Sequence, residues 1–223
     1  MLKGQTMADD VVTKRAFLTL GANGPGILLC HPWWGISLGI REMATTLATA
    51  GFLVVLPDLY AGRTASTVDE AERLRTAFSL AERQGRFDAA VSSLLEHPDR
   101  TGESIGVVGL SLGAAWALGL AAARPSDVGK VVLYYGTGDP DERYADGSFA
   151  CLAHFAERDE WESDSDVAAL EDRLSRAGIP FESHIYPGTA HWFAESDVPD
   201  AFDPEAARLA MERTIAFLRP GPD

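Results

Sequence analysis

Along this chain, short runs of consecutive apolar residues alternate with longer stretches in which apolar residues recur every three or four positions. R-A-F-L-T-L (15–20), G-I-L-L-C (26–30), F-L-V-V-L (52–56), I-G-V-V-G (105–109), K-V-V-L-Y-Y (130–135) and F-A-C-L-A-H-F (149–155) predict strands. Runs that stay apolar without a break predict strands covered on both faces. F-E-S-H-I-Y (181–186) alternates instead, as a half-exposed edge strand does.

Between them lie the helical periods. Ile40, Met43 and Leu47 share one face, and Gly51 stops that helix. Leu74, Phe78 and Ala81 predict a helix over 69–83, and Phe87, Val91, Leu94 and Leu95 carry a second. The stretch from Leu112 to Ala123 is apolar nearly all round, which predicts a buried helix. Val167, Leu170 and Leu174 mark a helix ended by Gly178. Asp203 followed by Pro204 is a helix start, with Ala207, Met211, Ile215 and Leu218 expected on its buried side.

Strand and helix thus alternate throughout, which predicts a mostly parallel, twisted sheet with helices on both faces, a three-layer α/β sandwich. Ligands of such sheets bind at the carboxyl ends of the strands. Gly and Pro are scattered rather than gathered into a linker, so a single domain is expected over 11–220, with residues 1–10 as an extension before it.

Composition narrows the partners. The net charge of −14 disfavours nucleic acid and anionic membranes. Between Asp139 and Asp172 stand twelve Asp and Glu against Arg143 and Arg158, a run that reads mostly as solvated surface. Cys30 and Cys151 are too few for a disulfide framework and sit in strand runs, so buried reduced thiols and a cytoplasmic protein are expected. The first ten residues hold no apolar core of a secretory signal, and no apolar run approaches the roughly 18 residues of a membrane span. The assembly is expected to be a monomer or homodimer.

The chemistry centres on G-L-S-L-G (109–113). Ser111 follows a strand and precedes a helix of small residues, the setting of a nucleophile elbow, where flanking glycines avoid collision in a tight turn. The plainer alternative is a serine that only caps the helix. A serine hydroxyl needs a neighbouring base, and imidazole, with an unperturbed pKa of about 6.5, suits neutral pH. His97 stands at a helix end, His154 and His184 lie inside strands, and His31 ends one. His191, in Y-P-G-T-A-H-W-F after the last strand, is the candidate base. The acid that orients it should follow a late strand, and Asp159 in A-H-F-A-E-R-D does so. Glu160, Glu162, Asp164 and Asp139 remain alternatives. The chain order Ser, Asp, His is that of an α/β-hydrolase.

Two backbone N–H groups are expected for a developing oxyanion: Leu112, after the nucleophile, and Trp33, in H-P-W-W-G (31–35), where Pro32 has no N–H to give. Trp34, Trp192, Phe193 and Glu195 complete the expected substrate pocket, with core packing as the alternative for Trp34. No ligand spacing of the H-E-x-x-H kind occurs, and no metal or organic cofactor is called for.

H-P-W-W-G-I, P-D-L-Y-A-G (57–62), G-L-S-L-G, Y-Y-G (134–136), H-F-A-E-R-D, Y-P-G-T-A-H-W-F and E-R-T-I-A-F-L (212–218) together resemble the dienelactone hydrolase family from about Ile27 to Leu218. The resemblance implies a compact hydrolase without a large cap domain, with Ser111, Asp159 and His191 as nucleophile, acid and base. It departs at three places. The best-known members carry cysteine where Ser111 stands. They carry glutamate where the resemblance puts Pro32. They hold an anionic substrate with arginines, one at the place of Glu195; Arg63, Arg73 and Arg75 are candidates for another. Glu195 is expected to repel an anion there.

The expected activity is therefore hydrolysis of small, neutral esters or lactones through an acyl-enzyme. The rival readings are thioester or amide hydrolysis or acyl transfer by the same residues, and a non-catalytic binding protein that kept the fold.

Overall fold

The computed structural model describes residues 16–220, so the expected extension over 1–10, and Arg15 at the head of the first predicted strand, lie outside the described residues. The strands are β1 (Phe17–Leu20), β2 (Gly24–Cys30), β3 (Leu53–Pro57), β4 (Arg100–Leu110), β5 (Val128–Tyr134), β6 (Ala150–Arg158) and β7 (Phe181–Ala190). The helices are α1 (Leu38–Thr49), α2 (Val68–Ala77), α3 (Leu80–Leu95), α4 (Leu112–Ala123), α5 (Asp164–Arg176) and α6 (Pro204–Leu218).

One seven-stranded sheet runs in the order β1-β3-β2-β4-β5-β6-β7. Only β1 is antiparallel, paired to β3; the remaining pairs are parallel. Alternate residues of each central strand enter different cores, as the two-residue strand period requires. Leu28, Cys30, Val55, Val107, Val131 and Leu133 pack under α3, α4 and α5. Ile27, Leu29, Val54, Val108 and Val132 pack under α1 and α6. The continuous apolar runs are thus strands buried on both faces.

Two expectations are corrected. The helix predicted over 69–83 ends at Ala77, because Phe78 is extended (φ −114°, ψ 125°) and Ser79 starts a new helix. Ser79 and Glu82 form a capping box there, each side chain accepting the other's backbone N–H. The buried stripe of α6 is turned relative to the predicted one, with Ala210, Thr214 and Leu218 innermost. A polar residue sits on that stripe because Thr214 Oγ1 bonds the Tyr134 hydroxyl at 2.7 Å and His154 Nε2 at 3.0 Å.

The sheet order reverses at β2: the chain goes outward to β3 and then returns to β4 on the other side. Crevices at such points are the usual ligand sites of open α/β sheets. The loops after β2 and β4, carrying Trp33 and Ser111, flank this one.

Candidate active site

The site is set by strand register. Leu110 pairs with Tyr134, so Ser111 and Tyr135 leave the sheet side by side. Arg158 pairs with Ala190 after a register shift past Ala156, so Asp159 and His191 emerge as neighbours.

Ser111 sits in the left-handed region (φ 50°, ψ −116°), a strained conformation for a residue with a side chain. It is held there by Ser111 N–H donating to Tyr134 O at 2.9 Å and Ala114 N–H donating to Ser111 O at 2.8 Å. Its side chain makes no capping bond to α4, so the helix-cap alternative fails. The flanking glycines are required by space. A Cβ on Gly109 would stand 2.3 Å from Gly113 O, and one on Gly113 would stand 2.2 Å from Cys30 O.

His191 Nε2 lies 2.9 Å from Ser111 Oγ. Its Nδ1 lies 2.9 and 2.8 Å from the two carboxylate oxygens of Asp159. An ionised carboxylate only accepts, so Nδ1 carries the proton and the Nε2 lone pair faces the serine hydroxyl. The side chains of His191 and Asp159 are only 5% and 7% exposed. Burial by itself would raise the Asp159 pKa. The hydrogen bond and charge of His191, with the backbone N–H groups of Trp161 and Glu162 donating to Oδ1 at 2.9 and 3.0 Å, outweigh it and hold the carboxyl below its ordinary range.

The alternative acids are engaged otherwise or exposed, Asp164 being the exposed first residue of α5. Glu162 accepts from the Thr137 hydroxyl at 2.5 Å, and its burial pushes its pKa up. Asp139 accepts from Asp141 N–H, and Glu160 is exposed. Among the other histidines, His31 Nε2 accepts from Leu59 N–H at 3.3 Å while Nδ1 reaches Pro32 O at 2.7 Å, which ties the 31–35 loop to the end of β3. His154 is buried between Thr214 and the Tyr186 hydroxyl, and His184 pairs with Glu182 at 2.8 Å.

Aromatic rings crowd the site. Trp192 (φ 68°) packs edge-on to His191 at 4.9 Å and to Trp34 at 5.1 Å. Trp33 is half-buried and meets Trp161 edge-on at 5.6 Å. Trp34 is buried with Ala65 and Ala71. Two expected pocket residues are corrected. Phe193 is fully buried between Tyr135 and Tyr186 and belongs to the core. Glu195 is 1% exposed, with Oε1 accepting from the Tyr135 hydroxyl at 2.9 Å. Burial, with the nearby charge of Asp197, pushes its pKa well above the usual range, and the side chain is folded inward onto Tyr135 rather than facing a substrate. The candidate arginines are exposed: Arg63 stacks over Phe78 at 5.0 Å, and Arg75 pairs with Glu72 at 3.6 Å.

Sequence reasoning missed Tyr135 and Trp161. Tyr135 (φ 37°) lays its ring 4.9 Å from that of His191. The Y-Y-G strand end was visible, but nothing in it showed that the second tyrosine would turn toward the histidine. Trp161 was hidden within the acidic run.

The family model for the dienelactone hydrolase family matches residues 14–221. Among curated proteins, "Protein usf" of Aquifex pyrophilus is 27% identical over 205 residues, covering 88% of each chain. The carboxymethylenebutenolidase of Pseudomonas putida is 28% identical over 214 residues, covering 89% of this chain and 87% of that one. Among solved structures, a putative dienelactone hydrolase of Klebsiella pneumoniae superposes with a TM-score of 0.72 at 19% identity, covering 89% of this chain and 88% of that chain. That likeness establishes the shared fold.

Proposed function

Because the chain belongs to the dienelactone hydrolase family, we propose that it is a carboxylic ester hydrolase that cleaves small, neutral esters or lactones through an acyl-enzyme on Ser111. The observation that carries this reading is the imidazole of His191 bridging Ser111 Oγ and the Asp159 carboxylate.

In this mechanism Ser111 Oγ attacks the substrate carbonyl carbon and its proton passes to His191 Nε2. Asp159 stabilises the imidazolium so formed. The tetrahedral oxyanion receives the N–H of Leu112, first residue of α4, and the N–H of Trp33, with the positive end of the α4 dipole behind the first. Collapse breaks the bond to the leaving oxygen, which takes the proton from Nε2. For a lactone that oxygen stays on the acyl group. Water then repeats the sequence on the acyl-enzyme, giving the acid and free Ser111.

One feature favours neutral substrates: the place at which family resemblance puts an anion-binding arginine is the buried Glu195. The buried free thiols Cys30 and Cys151 accord with a reducing compartment. No helix among the described residues is long and apolar enough to cross a membrane.

The test is labelling with a fluorophosphonate probe. Attachment at Ser111 in the wild type, lost in Ser111→Ala, supports the reading. No labelling, or labelling that survives the substitution, overturns it. A higher kcat/KM for a carboxylate-bearing ester than for its neutral analogue would overturn the neutral preference.

A further inference from the structure

Four of the chain's five tryptophans gather around His191, and one of them is left open to solvent. Trp161 is 49% exposed, while Trp34 is 5% exposed. The open indole is nevertheless fixed. Its backbone N–H is bound to Asp159, its ring meets Trp33 at 5.6 Å (77° between planes) and Trp192 at 5.6 Å (49°), and its centroid stands 6.3 Å from that of His191. The fifth tryptophan, Trp116, packs against Phe87 in the core, as is usual for this residue.

An indole braced on two sides and bare on another, beside the imidazole that touches Ser111, is a wall awaiting a partner. We propose that Trp161 is a specificity-determining residue that stacks an aromatic ring of the ester substrate beside Ser111 and His191. This inference rests on the hydrolase reading above and adds the substrate class: esters carrying a neutral aryl or arylmethyl group. The preference is for planar rings over saturated ones, because aromatic pairs gain from offset or edge-to-face contact at centroid separations of roughly 4.5–7 Å beyond their buried area. The indole stands close enough to His191 for a ring held one or two bonds from the reacting carbonyl to lie against it.

The test uses matched pairs of nearly equal intrinsic reactivity: benzyl acetate against cyclohexylmethyl acetate, and methyl phenylacetate against methyl cyclohexylacetate. The wild type should prefer the aromatic member of at least one pair by about tenfold in kcat/KM, carried mainly by KM. Trp161→Ala and Trp161→Leu should reduce that preference to less than about twofold, and Trp161→Phe should restore most of it. Because Trp161 is half exposed, these variants should fold, and fluorophosphonate labelling of Ser111 in each reports that the nucleophile is intact. Absence of an aromatic preference in the wild type, or a preference that survives Trp161→Ala, overturns the proposal. So does labelling at Ser111 with no turnover of any of the four esters, which leaves the hydrolase reading standing. Failure of wild-type labelling removes that reading and this proposal with it.

Discussion

The Tyr135 hydroxyl donates to Glu195 Oε1 across 2.9 Å, and the same tyrosine ring lies 4.9 Å from the imidazole of His191. Glu195 belongs to the tight turn that follows His191, closed by Glu195 N–H donating to Trp192 O at 2.9 Å. The bond therefore ties the histidine loop to the end of β5, next to the strand that delivers Ser111. Tyr135 and Glu195 act as a fastener beneath the site.

Glu195→Gln should be tolerated, because an amide oxygen keeps an acceptor for the tyrosine hydroxyl. We expect kcat/KM within about threefold of wild type. Tyr135→Phe leaves a buried oxygen without its donor, which should cost roughly 1–3 kcal/mol of stability. Urea unfolding of the three proteins at pH 7 checks this. Equal losses in Glu195→Gln and Tyr135→Phe would show that an amide cannot replace the carboxyl as the partner of Tyr135.

Asp159→Asn should leave the fold intact and reduce kcat by roughly three to four orders of magnitude, the scale seen when a triad carboxylate becomes an amide. The carboxylate is what fixes the proton on His191 Nδ1. An amide can donate from its nitrogen, and then Nε2 carries the proton and no longer accepts from Ser111. Steady-state kinetics at pH 7–8 beside a circular dichroism melt separate this from unfolding. A loss below tenfold would return the role to Glu162 or another acid.

Gly113→Ala should be among the most damaging single-methyl changes in the chain. The added Cβ would stand 2.2 Å from Cys30 O and 2.8 Å from His31 O, both backbone atoms of β2 and its loop. Relief requires moving α4 away from the sheet, which displaces Ser111. Soluble yield, thermal midpoint and fluorophosphonate labelling should all fall. Gly85→Ala is the control, since nothing lies within 4 Å of a Cβ there.

Much of this was legible before any coordinates. Unbroken apolar runs such as 26–30 and 52–56 required a sheet covered on both sides, and strand–helix alternation required parallel pairing. Ser111 could be read because its chemistry is local: a strand, two glycines and a helix within a few residues. The convergence of Asp159 and His191 could be expected only from their places after late strands; the Arg158–Ala190 register that joins them is a tertiary fact. Glu195 departs from its expected place for a related reason. Spacing from His191 placed it near the site, but spacing does not distinguish a side chain pointing into a cleft from one folded inward onto Tyr135. The break at Phe78 was readable from Ser79 and Glu82, and the continuing apolar period concealed it.

The buried histidine of β6 should make the fold acid-sensitive. Burial lowers the His154 pKa from the ordinary 6.5 to about 3, with the charges of His184 and Arg213 adding to the effect. The folded state keeps His154 neutral where the unfolded chain binds a proton. Between about pH 6.5 and 3 the unfolded state therefore holds more protons at this position, and stability falls as pH falls, by up to roughly 1.4 kcal/mol per unit. Other groups pull the opposite way: Glu142, raised to about 7 chiefly by burial, and Glu195, also raised chiefly by burial, hold a proton more readily in the fold than in the unfolded chain, which favours the fold on acidification. The His154 contribution must therefore be read as a difference. His154→Gln will be less stable than wild type at pH 7, having lost part of its bonding to Thr214 and the Tyr186 hydroxyl. That gap should narrow steadily in urea titrations at pH 6, 5 and 4, because the variant has no proton to exclude. A gap constant over this range would mean that His154 is protonated in the folded protein and that Thr214 and Tyr186 accept from it.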